Sequence, residues 1–192
     1  MKPVGSFSAD ERNILLDVAF KTIEHGLHHG IPNRLQPTQF PNALQAPHAT
    51  FVTLKIADQL RGCIGSLEAV RPLVEDVNEN AFAAAFRDPR FSLLDEAEFA
   101  GLQISISVLS LPEAVACSSE QELIAQLRPG IDGLILEEGH RRGTFLPAVW
   151  ESLPEPQPFL RQLKLKAGFH PDYWSRHIHV YRYHTEIIDA DH

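Results

Sequence analysis

Cysteine is scarce in this 192-residue chain, which has only Cys63 and Cys117. Two thiols make no disulfide framework and suit a reducing compartment, so a cytoplasmic location is expected. Basic residues are also in short supply: 17 Lys and Arg stand against 25 Asp and Glu, a formal charge of −8. Affinity for a phosphate backbone comes largely from Lys and Arg, so this balance argues against a nucleic-acid partner. The only basic concentrations are Arg141-Arg142 and the interval from Arg161 to Lys166, and both are thin. No apolar run approaches the roughly 20 residues that cross a bilayer, so no membrane association is expected. Met1 to Gly5 lack the apolar core of a secretory signal. A glycine-rich loop joining strand to helix is missing too, which disfavours a dinucleotide-binding fold.

What is present is ordinary globular material, 44% hydrophobic and 22% charged. The length fits a single domain over residues 1–192, with two interleaved lobes. Such a chain buries about two-thirds of its unfolded surface and needs no covalent staple. Ser8 and Glu11 form a capping-box signature ahead of the apolar stripe Leu15, Val18, Ala19 and Ile23, which predicts a helix ending near Gly26. The stretch from there to Ala46, rich in Pro, Asn and Gln, predicts a long loop. Thr50–Ile56 and Leu60–Ile64 flank Ala57-Asp58-Gln59 and predict a hairpin.

Pro72 opens a helix with an apolar face at Leu73, Val77, Ala81 and Ala84/Ala85, and Asp88-Pro89 ends it. Leu102–Val108 alternates branched residues with Gln103, Ser105 and Ser107, a strand whose serine face is either solvated or closely approached. Ser119 and Glu122 repeat the capping box. Asp132–Glu137 and Gly143–Leu146 predict a second hairpin, Phe159, Leu160 and Leu163 a helix capped by Gly168, and Ile178–Tyr183 a last strand. Hairpins interrupted by helices give an α+β fold, with antiparallel or mixed sheets and flanking helices.

The most unusual segment is Arg61-Gly62-Cys63-Ile64-Gly65. Glycines permit close backbone approach or positive φ and leave N–H groups unshielded; Arg61 adds a permanent cation. Those ingredients favour a thiolate at Cys63 and could hold an anion or oxyanion. In regular strand, Arg61 and Cys63 share a face and Gly62 opens the other. The competing reading is a Cys63 buried as a small hydrophobe, its glycines bending the strand. Cys117, between Ala116 and Ser118, reads as structural.

His48, His140, His177 and His179 are the candidate bases. His177 and His179 lie two apart, which on a strand puts both imidazoles on one face, but no third ligand is indicated and no metal is expected. His25, His28 and His29 answer the C-terminal dipole of the first helix. Around the second hairpin, Glu137, Glu138, His140, Arg141 and Arg142 are either a solvated tip or a group that brings His140 or Arg142 beside Cys63. Arg90, after Asp88-Pro89, either pairs with Asp88 or points into the same cleft.

These segments resemble the AmmeMemoRadiSam system protein A family, also named for the AMME chromosomal-region gene product. The resemblance is carried by Phe51–Leu54, Leu60–Gly65, Asp88–Phe91, Ser105–Ser110, Asp132–Leu136, Gly143–Pro147, Phe159-Leu160 and Lys166–Gly168, in order from about Ser8 to Ile187. It implies an α+β fold with a larger and a smaller lobe, and a pocket near the Arg-Gly-Cys segment. It also implies a radical SAM enzyme and a Memo-type protein as companions, and leaves cofactor and reaction unspecified. Where the family usually continues Leu-Pro-Gln-Val, this chain has Leu146-Pro147-Ala148-Val149.

Two functions are compatible with these residues. One is cysteine-dependent modification of a small anionic or protein substrate, with Cys63 and Arg61 catalytic and Gly62, Gly65, Arg90, His140 and Arg142 binding. The other is a non-catalytic binding or scaffold module that recognises an anionic group through the arginines.

Overall fold

The computed structural model describes residues 7–190; Met1 to Gly5, read above for a signal segment, lie outside them. The chain forms two compact units. Among the described residues, the larger comprises 7–110 together with 186–190, and the other 111–185. Each has its own hydrophobic cluster.

The larger unit begins with α1 (Ala9–His29). Ser8 accepts from the Glu11 amide and Glu11 returns to the Ser8 amide. The helix runs past Gly26 to a left-handed cap at Gly30. Glycine is needed at 26, inside the helix, because a Cβ there would meet the Phe86 and Phe82 rings. The region predicted as one long loop holds a 3-10 turn at Pro37–Gln39 and a short helix, α2 (Asn42–Gln45).

The first hairpin pairs β1 (Ala49–Ile56) with β2 (Gln59–Gly65) through a turn in which Ala57 and Asp58 both adopt positive φ. That geometry matches the right-handed twist of the flanking strands. After α3 (Leu73–Phe86) and α4 (Glu96–Phe99), β3 (Leu102–Leu109) pairs antiparallel with β1. The last strand, β8 (Thr185–Asp189), completes the order β2-β1-β3-β8. It lies beyond the last strand expected from the sequence.

Val52, Leu54, Ile104 and Ile106 face inward and pack with Leu15, Ile23, Val77 and Ala81 of α1 and α3. Asp76 on α3, fully buried, accepts from the Thr50 backbone amide and hydroxyl, the Asn80 side-chain amide and Arg71, which ties α3 to the start of β1. A buried carboxylate with this many donors is satisfied rather than stranded.

The second unit holds β4 (Glu113–Ala114), α5 (Glu120–Gln126), β5 (Gly133–Glu138), β6 (Arg141–Phe145), α6 (Pro156–Lys166) and β7 (His179–Tyr183). Its sheet order is β4-β7-β5-β6. Ser119 caps α5, but the Glu122 carboxylate reaches Ser118 instead of completing the box. Trp150 stacks on Phe159 with ring centroids 3.7 Å apart, within a core that includes Leu134, Leu136 and Val180. Both units are therefore helices packed on antiparallel hairpins, an α+β architecture. Among the described residues, no helix is long and apolar enough to cross a membrane.

Gly62 faces α3 so closely that a Cβ would run into the carbonyl oxygen of Ala84. Backbone cannot yield as a flexible side chain does. Gly62→Ala is therefore expected to lower stability by about 1–3 kcal/mol, seen as a lower midpoint in urea unfolding; an unchanged midpoint would contradict this packing.

Candidate functional site

Cys63 lies on β2, an edge strand, with its side chain half-buried. Its amide donates to Asp88 Oδ2 at 2.9 Å, and its carbonyl accepts from Arg90 Nη2 at 3.1 Å. Both backbone groups thus point away from β1. Cys63 and Thr53, opposite each other, form a non-hydrogen-bonded pair, the kind whose side chains approach more closely. The Cys63 sulfur and Thr53 Oγ1 are 3.3 Å apart. Ser105 lies opposite Thr53 on β3, so a row of thiol and two hydroxyls crosses the sheet.

Asp88 is the centre of this cluster. Only 5% exposed, it accepts from Arg90 Nε at 2.9 Å, Arg90 Nη2 at 2.7 Å and the Arg90 amide, besides the Cys63 amide. The Arg90 side chain, chiefly, and then the two backbone donors outweigh burial and hold the carboxyl far below the usual carboxylate range. Arg90 is raised in turn, first by Asp88, with the Cys63 sulfur close enough to contribute. Asp88-Pro89 ends α3 as the sequence predicts, and the same residues wrap the edge of β2.

Arg61 does not share the Cys63 face. Gly62 pairs with Leu54 and Leu60 with Lys55, so Arg61 is the extra residue of a β-bulge. A bulge interrupts the alternation and re-aims the side chain. Arg61 is 8% exposed; its Nε and Nη2 donate to Glu98 at 2.7 and 2.8 Å, and Nη2 also to the Ser92 carbonyl. Its Nη1 is buried without a partner in the protein. The pairing lowers the Glu98 carboxyl and raises Arg61, each chiefly through their mutual hydrogen bonds. The guanidinium expected to stabilise a Cys63 thiolate is thus balanced by Glu98.

The glycines answer to packing. Neither Gly62 nor Gly65 has positive φ; Gly62 admits the Ala84 carbonyl, and a Cβ on Gly65 would meet the Thr50 carbonyl and the Phe51 ring. Phe91 joins the two arginines: their guanidinium carbons lie 5.8 Å (Arg61) and 5.5 Å (Arg90) from its ring centroid. Glu98 and Ser92 were missed by sequence reasoning, and Phe91 was read only as part of the Asp88–Phe91 block, although Asp95 and Glu98 carry a capping-box spacing that marks α4.

His140 and Arg142 belong to the second unit, on the β5–β6 hairpin. His140 is exposed in the turn, and Arg142 lies opposite Glu137, 3.7 Å from its carboxylate. His177 precedes β7 and only His179 is in the strand, so the shared strand face expected for this pair does not form. His48 contacts the Ala46 carbonyl and the Phe7 ring. Cys117 packs on the core of the second unit, where burial, and secondarily Glu122, pushes its thiol up.

Because the folded Asp88 carboxyl binds its proton less readily than the unfolded one, its stabilisation is complete above about pH 4 and is lost as acid titrates the folded group. Asp88→Asn should destabilise the protein at neutral pH, with the gap to the parent narrowing below about pH 4. Urea unfolding across that range checks this, and a pH-independent gap would refute it.

The comparisons with known proteins agree with this architecture. The chain is 35% identical over 190 residues to a protein of Methanothermobacter thermautotrophicus, covering 96% of each. It is 36% identical to a protein of Thermofilum pendens, over 96% of this chain and 92% of the other. The crystal structure of an uncharacterised protein from Pyrococcus horikoshii superposes with a TM-score of 0.82 at 32% identity, covering 94% of this chain and 92% of that one. The AMMECR1 family model matches residues 16–188, almost the whole length over which the motifs were read, and the chain belongs to the AMMECR1 family.

Proposed function

We propose that the chain is a non-catalytic binding module of the reducing cytoplasm, recognising an anionic group beside Cys63. One observation carries this reading. Arg61 and Arg90 flank Phe91, and each engages its carboxylate through Nε and Nη2 while Nη1 takes no part in the pair. Two forks held rigidly by carboxylates, each with a spare nitrogen, suit a carboxylate or phosphate that accepts several N–H bonds. The Arg90 side chain is 54% exposed and meets the ligand first. Arg61 Nη1, enclosed without a partner in the protein, is the second donor left over. Gly62 and Gly65 serve the site by letting β2 sit close to its neighbours. His140 and Arg142 have no assigned part in it.

Cys63 here is a neighbour of the bound group. Its amide is occupied by Asp88 and its sulfur meets a threonine hydroxyl, so neither an oxyanion donor nor a general base is provided by these contacts. On this reading, the radical SAM enzyme and Memo-type protein implied by the resemblance are binding partners that present the anionic group.

A second reading, cysteine-dependent modification of an anionic or protein substrate, is favoured by the electrostatic reach of Arg90 to the sulfur. Titration calorimetry with an acidic peptide and with inorganic phosphate separates the two. Arg90→Ala and Arg61→Lys should each weaken binding about tenfold, and Cys63→Ser should leave it unchanged. Binding indifferent to both arginines would overturn the proposal. Covalent labelling of Cys63 by a partner-derived substrate would favour the second reading.

A further inference from the structure

The serine face of β3, left open by the sequence as solvated or approached, lines a cavity of about 460 Å³. Phe20 gives it an apolar side, and Leu102 and Ile104 border it although their side chains turn to the core; Thr53, Gln103 and Ser105 supply neutral polar groups, and Lys55, Asp58 and Asp189 bring charge. The volume falls within the range of small-molecule sites, roughly 300–1,000 Å³. β1, β3 and β8 carry most of these groups, and rigid strands fix positions better than loops do. Asp58 is presented by the tight β1–β2 turn, where it holds φ near +60°.

The polar side chains of this cavity are unspent. Among the described residues, Lys55, Asp58, Gln103, Ser105 and Asp189 have no side-chain hydrogen bond or ion pair, and Thr53 meets only the Cys63 sulfur. Lys55 lines the same cavity as two carboxylates without closing on either, and Gln103 and Ser105 are half-buried. Lys55, Asp58 and Asp189 are exposed, so their charged groups meet solvent or a ligand at the cavity mouth, while Gln103 and Ser105 face its interior.

The lining also limits what can fill it. Two carboxylates and one ammonium repel a simple anion, so the ligand differs from the anionic group proposed beside Cys63. The carboxylates accept only, the ammonium donates only, and the hydroxyls and the amide do both. A ligand that donates and accepts around its whole rim, while offering an apolar face to Phe20, matches this inventory.

We propose that this cavity binds a neutral, hydroxyl-rich molecule of the carbohydrate class, a mono- or disaccharide. Its hydroxyls donate to Asp58 and Asp189 and exchange bonds with Gln103, Ser105 and Thr53, while its C–H face lies on Phe20. Lys55 donates to a ring or hydroxyl oxygen.

Amide NMR titration of the full chain with glucose, ribose and maltose, up to about 50 mM for millimolar affinities, tests this. Saturable shifts confined to β1, β3, β8, the β1–β2 turn and α1 around Phe20 are expected. Gln103→Ala and Asp189→Ala should each weaken the effect about five- to tenfold without changing the unfolding midpoint, whereas Arg90→Ala should not alter it. That independence separates this site from the anion site, whichever of the two fails. The proposal is overturned if no sugar shifts these residues, or if lysine and glutamate shift them while sugars do not. It is equally overturned if sugar binding survives both cavity substitutions.

Discussion

One carboxylate organises the neighbourhood of Cys63. Asp88 ends a helix, holds the amide of a strand residue and fixes an arginine that returns to the same residue's carbonyl. Removing it would unpair all of these at once, because each bond depends on the negative charge remaining where burial alone would neutralise it. The arginine supplies the compensation, which explains why helix end, strand edge and exposed cation sit together.

A second carboxylate repeats the arrangement a few residues away. Glu98 caps its own short helix and clamps Arg61 at the bulge, so the permanent cation of the Arg-Gly-Cys segment is tied to structure before any ligand arrives. Glycine at 62 then lets the strand lie against the helix carrying Ala84. The block that looks reactive in sequence is, in three dimensions, closely packed, with one nitrogen of each guanidinium left outside these pairs.

Much of the fold was legible from local signals. Ser8 with Glu11, Pro72, Asp88-Pro89 and the alternation of Leu102 to Val108 each encode one element through capping, ring geometry or pleat. Gly26 misled because a glycine within a helix and one beyond its end look alike; only the Phe82 and Phe86 rings distinguish them. β8 was hidden because Thr185 to Asp189 form a strand by virtue of a neighbour far away in sequence. The Asp88–Arg90 pair was legible as one of two alternatives for Arg90, but the placement of both against Cys63, and the orientation of Arg61, were not. Whether Arg61 shares a face with Cys63 depends on a one-residue bulge, and no composition rule announces where an extra residue enters a strand.

The bulge and the Asp88–Arg90 clasp have an effect unrelated to ligands. β2 is the outermost strand of its sheet, and an outermost strand with open amides and carbonyls invites pairing with another molecule. At Cys63 both groups are already taken, and at Arg61 the backbone kinks out of register. A foreign strand arriving at the Arg61–Cys63 stretch finds its hydrogen-bonding positions occupied or misaligned, so the contacts that shape the Cys63 neighbourhood also guard this part of the edge against strand pairing.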